Sequence, residues 1–269
     1  MGINFHIFKS NVYEFDLLNM KNRIILFTLL ISVIFSQEWN TTFIGQLDYP
    51  QFVNDVWGYR ADNGKEYALV GTSLGTAVVD VTTNPFGPQQ VGFITGDEST
   101  WRDIKFWNNH MYISTEAEMG IQVADITDPE NPELVYEWDG VSRAHNLFQA
   151  DGYLYVVGAD EGTDMEVLDL TDPAVPVRVG GWSGEYLHDV YVRDNYAYGC
   201  GIYSSTMYII DISDKENPYT LTSWTYPGSA HACWLTEDGD FLISGDETSG
   251  GHVKIWDIRD FDNINMVSE

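Results

Sequence analysis

The chain has 269 residues, with 41 acidic against 13 basic side chains and a formal net charge of −28. That charge excludes a nucleic-acid backbone or an anionic lipid surface as partner, because both need Lys and Arg to replace counterions. At 44% hydrophobic and 14% aromatic the chain is too apolar for global disorder, and its two cysteines are too few for a disulfide framework or a thiolate-built zinc site.

The first feature in chain order lies at residues 20–36. Lys21 and Arg23 follow Met20, an apolar run continues to Phe35, and the small residue Ser36 closes it. Charged, apolar, then small is the order of a secretory signal, and the run is too short to span a bilayer comfortably. The expected organisation is a leader over 1–36, with the signal at about 20–36, and one domain over 37–269. The expected location is secreted or at the cell surface, with no transmembrane span in the mature chain.

From there the chain repeats. An apolar segment ends in Asp and passes to an aliphatic residue, a hydroxyl residue and often proline. The copies centre on Asp80, Asp125, Asp169, Asp211 and Asp257, spaced 45, 44, 42 and 46 residues apart. A second proline often follows, at Pro88, Pro132, Pro176 and Pro218. Asp and Ser/Thr side chains bond nearby backbone and start turns, and proline stops the ladder, so this Asp series reads as structural. A second segment precedes each copy, at Asn54–Trp57, Arg102–Lys105, His145–Phe148, His188–Tyr191 and His231–Trp234. A third lies between the two and a fourth follows the Asp. Four short β-segments in about 44 residues are the signature of a propeller blade, so the expected fold is an all-β propeller of about five four-stranded blades. Further outer-strand candidates stand at Thr42–Leu47 and Ile264–Val267. Six outer strands against five inner sets would leave the ring unequal, and the expectation is an incomplete part of a larger ring.

The Asp-aliphatic-Ser/Thr-Asp-Pro units resemble LVIVD repeats. Trp101–Lys105, His145–Leu147, His188–Val190 and Tyr226–His231 resemble segments of the choice-of-anchor B family of exported bacterial proteins, as do Ser114–Ala117 and Trp234–Gly239. The likeness covers roughly residues 45–262. It implies an exported β-propeller, and it implies no established reaction.

Candidate chemistry follows from register. The first strand of each propeller blade lines the channel, and Arg102, His145, His188 and His231 recur at intervals of 43 residues. They are expected to ring the channel mouth. Asp103 and Asp189 follow by one residue. The ends of the second strands add Glu116, Asp160, Glu161, Asp246 and Glu247 to the same face. Imidazole with carboxylate suits a divalent cation, with His145, His188 and His231 as its candidate ligands. Arg102, Asp103, Glu116, Asp246 and Glu247 complete the candidate ligand-binding set. Three uses of the histidines stay open: bonding between blades, ligand or ion binding, and catalysis. No phosphate loop, zinc-protease helix or serine-hydrolase elbow occurs, so no catalytic residue is assigned. The tryptophans are expected to pack blade on blade. Cys200 and Cys233 are expected to be neighbours across a blade interface, bonded or free. The expected function is a binding module for an unknown extracellular ligand or surface protein. The alternative is an exported metal-dependent hydrolase or lyase.

Overall fold

The computed structural model describes residues 41–269. The leader and signal expected over residues 1–36 lie outside the described residues. Among the described residues, no helix is long and apolar enough to cross a membrane.

Twenty strands form five four-stranded antiparallel sheets in chain order. Blade 1 holds β1 (Val53–Arg60), β2 (Glu66–Thr72), β3 (Gly75–Asp80) and β4 (Gln89–Thr95); blade 2 holds β5 (Arg102–Trp107), β6 (His110–Thr115), β7 (Ile121–Asp125) and β8 (Glu133–Trp138). Blade 3 holds β9 (Asn146–Ala150), β10 (Tyr153–Val157), β11 (Met165–Asp169) and β12 (Val177–Trp182). Blade 4 holds β13 (Asp189–Arg193), β14 (Tyr196–Gly201), β15 (Thr206–Asp211) and β16 (Tyr219–Thr225). Blade 5 holds β17 (Ala230–Leu235), β18 (Phe241–Asp246), β19 (Lys254–Asp257) and β20 (Asn265–Ser268). This is a β-propeller.

Local chemistry sets each blade. The hairpin between β5 and β6 turns at Asn108 and Asn109, and that between β9 and β10 at Asp151 and Gly152, all at positive φ. Asn, Asp and Gly tolerate that conformation best. After the third strand, the repeated Asp closes a side-chain turn. Its Oδ1 accepts the N–H two residues on, from Thr82, Thr127, Thr171, Ser213 and Arg259 in the five blades. These carboxylates serve the chain's own backbone.

Apolar residues of the inner strands fill the seams between blades. Ile104, Leu147 and Val190, at equivalent positions, are buried. Truncating such a side chain to alanine costs about 2–5 kcal/mol. The strand expected at Thr42–Leu47 does not form, because that segment pairs with no sheet edge. The tail strand is β20, the outer strand of blade 5. Inner and outer strands therefore match at five each, which corrects the unequal count. Closure is a separate matter. β1 packs on β5, β5 on β9, β9 on β13 and β13 on β17, and among the described residues no packing of that extent joins β17 to β1. Val56, the blade 1 counterpart of the buried Ile104, is 46% exposed on that side.

Candidate functional site

The inner strands stack three layers of side chains along the axis. The deepest is aromatic. Phe148 meets Trp57, Tyr191 and Trp234 at ring-centroid distances of 6.4, 5.1 and 5.8 Å. Lys105 fills the blade 2 place in this layer, its Nζ 4.7 Å from the centre of the Trp57 ring. Drawn one from each of the five blades, these residues plug the channel.

The middle layer is acidic. Asp55 accepts the N–H of Ile104 at 3.1 Å, Asp103 that of Leu147 at 3.0 Å, and Asp189 that of Cys233 at 3.2 Å. Each carboxylate ties its blade to a strand of the next. Asn146 takes the place in blade 3 and donates to Asp189 at 3.0 Å. Ala232 takes it in blade 5, so that blade offers no such spoke. Lys105 supplies the charge balance, with Nζ 2.7 and 2.8 Å from the two oxygens of Asp103. Asp103 stays well below the usual carboxylate range because Lys105 and its hydrogen bonds outweigh its desolvation. Burial and the nearby Asp103 push Asp55 up to about 8 and Asp189 up to about 6. Asp103, expected at the mouth, is therefore a blade staple.

The outermost layer is the histidine cluster. His145 and His188 rings lie 4.1 Å apart, and His188 and His231 rings 4.4 Å apart. The backbone at these positions is held by the N–H of His145 on Gly158 O at 3.1 Å and that of His188 on Cys200 O at 2.8 Å. Gly158 sits at φ +66°, and a Cβ there would stand 2.4 Å from the Cβ of His145, so glycine is what lets the ring in. His188 donates Nδ1–H to the carbonyl of His231 at 3.0 Å. A carbonyl only accepts, so the proton is on Nδ1 and Nε2 carries the lone pair. Burial and the two flanking imidazoles pull His188 down to about 4, and the ring is neutral at pH 7. His145 directs Nδ1 at Glu116 Oε1 at 2.8 Å. His231 Nε2 lies 4.0 Å from Glu247 Oε1.

Among the described residues, one group of donors lies close enough to share an ion: His188, His231 and Glu247, with donor atoms within 4.8 Å of one another. Two aromatic groups flank the cluster. Trp101, 41% exposed, meets His145 edge to face with ring centres 5.9 Å apart. Tyr186 stands beside Gly158, its ring tilted against that of the exposed Tyr203 with centres 4.9 Å apart.

The other residues expected at the mouth are committed elsewhere. Arg102 shares the histidine register but is buried between blades 1 and 2. Its Nε donates to Thr72 O at 3.1 Å and its Nη2 to Asp97 O at 2.7 Å. A long side chain able to reach those carbonyls turns inward, so it offers no cation to a ligand. Asp246 binds the buried Lys254 at 2.7 Å and accepts the N–H groups of Ser229 and Thr248. Asp160 takes up Ser142 and Arg143 in the same manner. Glu161 has an exposed side chain with no cluster contact of its own. Cys200 and Cys233 are free and buried, and the Cys200 thiol faces Cys233 across the seam between blades 4 and 5.

Residues 184–225 match the family model of the LVIVD repeat. The chain carries an LVIVD repeat. The matched repeat is blade 4, and it brings His188 with it. No curated protein matches the chain. Among solved structures this propeller is similar to a functionally unknown protein from Desulfotomaculum acetoxidans DSM 771. The TM-score is 0.63 at 12% identity, over 83% of this chain and 71% of that one. It is also similar to the computationally designed Ika4 protein, with a TM-score of 0.50 at 20% identity, over 63% of this chain and 98% of that one. At these identities the likeness shows the fold alone.

Proposed function

We propose that this propeller is an exported binding module that takes a small polar ligand at its channel mouth. The observation that carries the reading is the meeting of three imidazoles from three consecutive blades, at 4.1 and 4.4 Å, under solvent-facing carboxylates. Bonding between blades accounts for the His188 bond to the His231 carbonyl but not for the convergence of all three rings, since the acidic layer beneath already ties the blades. The imidazole nitrogens, Glu116 and Glu247 offer both donors and acceptors, and Trp101 and Tyr203 offer flat apolar walls beside them. The Lys21–Arg23 and apolar pattern supports export of residues 37–269 as the mature domain, in line with the choice-of-anchor B resemblance. The test is calorimetry and thermal shift on the full chain with citrate and neutral hexoses as probes. The expected result is a probe that stabilises the parent and loses its effect in the combined His188→Ala and His231→Ala variant. If that variant only loses stability and no probe binds the parent, the histidines are staples.

One observation favours a second reading, an exported hydrolase or lyase. The Glu116–His145 pair at 2.8 Å is an imidazole oriented by a carboxylate, which is how a general base is held.

A further inference from the structure

The histidine cluster contains a more specific site, and the argument for it rests on the binding-module reading above. We infer that His188, His231 and Glu247 form a binding site for a first-row divalent metal ion of the zinc class, open on the solvent side to an oxygen ligand.

The donor set comes first. Two imidazoles and one carboxylate with a remaining open position are what such metals take in sites that also bind a ligand. Calcium and magnesium prefer all-oxygen shells, and the two nitrogens select against them. The distances come second. Zinc bonds of about 2.0–2.2 Å need donor–donor edges of about 3.3 Å in a tetrahedral shell. The three donors already lie within 4.8 Å of one another, and His231 Nε2 is 4.0 Å from Glu247 Oε1. Closing the shell takes a movement of about 1 Å, within the rotamer freedom of an exposed glutamate. The Glu247 side chain is 53% exposed, and among the described residues His231 is its one side-chain partner.

The outer support comes third, and it is independent of the distances. Metal-bound histidines hold their other ring nitrogen on a carbonyl or carboxylate, which fixes the tautomer and the ring. His188 does so on the carbonyl of His231, leaving Nε2 without a hydrogen-bond partner among the described residues. His145, fixed by Glu116, buttresses the His188 ring at 4.1 Å. The wider charge favours the ion, since a net −28 raises the local concentration of cations. The two flanking candidates do not compete for it, because Asp246 is held by Lys254 and Arg102 is turned into the blade seam.

The test uses the full chain freed of metal by chelation and titrated with cobalt(II), whose visible absorption reports coordination number and nitrogen ligation. One equivalent should saturate a band of four- or five-coordinate type, and zinc should displace it. Glu247→Gln should weaken cobalt binding at least about tenfold and leave the melting temperature in place, because that carboxylate supports nothing else. His188→Ala and His231→Ala should abolish the band, and His110→Ala, at the far end of blade 2, should leave it unchanged. Absence of a saturable band, or a Glu247→Gln variant that binds as tightly as the parent, overturns the metal site. A citrate or hexose complex formed by the metal-free parent would keep the binding-module reading while the metal site fails. A cobalt site on a chain that binds none of these probes would do the reverse.

Discussion

The Nδ1–H of His188 rests on the backbone carbonyl of His231 at 3.0 Å, so the ring of one histidine is anchored on the main chain of another 43 residues further on, at the top of the channel. The bond is one-sided. His188 is half-buried and gives up its proton donor to the fold, whereas the His231 side chain is 41% exposed and contributes only its backbone.

The first prediction follows from that asymmetry. His188→Ala should lower stability by about 1–3 kcal/mol, since it leaves a carbonyl unpaired and removes ring packing. His231→Ala should cost less than half as much. Equilibrium urea denaturation of the two variants compares them directly; equal losses would contradict the assignment.

The acidic layer makes a second. Lys105 and Asp103 are both buried and bonded to each other. Asp103→Ala would strand the ammonium and release the N–H of Leu147, at a cost of about 3–5 kcal/mol. Asp103→Ala together with Lys105→Met should recover much of that loss, because a buried pair replaced by apolar groups is often near neutral. A double variant no more stable than the single one would show that the pair is not the unit.

The same layer sets a pH dependence. Asp55 and Asp189 are raised to about 8 and about 6, above the ordinary carboxylate value near 4 of the unfolded chain. Their neutral forms favour folding. That contribution is fully present below the unfolded value and is lost as pH rises through about 6 and then about 8. The groups facing them are Asp103, Lys105 and Asn146, of which Asp103 is lowered and acts in the opposite direction at acid pH. Thermal melts should therefore show stability falling from about pH 4 to about pH 8 and levelling above that, and Asp55→Asn should flatten the upper part of that fall. A parent curve that rises over this range would refute the assignment.

A fourth prediction concerns the thiols. Cys200 and Cys233 are buried, and desolvation pushes the Cys200 thiol well above its ordinary range. A reduced native sample should react with an aromatic disulfide reagent far more slowly than the denatured chain. Rapid labelling of both in the native state would contradict the burial.

The last tests the leader. N-terminal sequencing of protein recovered from outside the cell should begin near Gln37. Soluble cytoplasmic protein retaining residues 20–36 would remove the case for export.

The sequence by itself determined the repeat, the four strands of each blade and the register of the inner positions. These are local matters: strand, turn and proline chemistry recur every 44 or so residues because every blade solves the same problem of covering its two faces. That register already aligned His145, His188 and His231. It aligned Arg102 equally well, and tertiary structure separated them, since only the carbonyls of Thr72 and Asp97 across a seam could draw the guanidinium inward. Asp246 and Glu247 are adjacent in sequence and alike in charge, yet the position of Lys254 claimed the first and left the second free. The acidic spokes and the aromatic plug stood in the same alignment, one and three residues after the histidines. Their roles stayed hidden because a side chain on an inner strand acts through the width of the channel, and no spacing along the chain encodes that distance. The segment at Thr42–Leu47 has the apolar content of a strand, but the fold uses it differently: Leu47 packs against Val70 and Val79 of blade 1 and the segment pairs with no sheet edge.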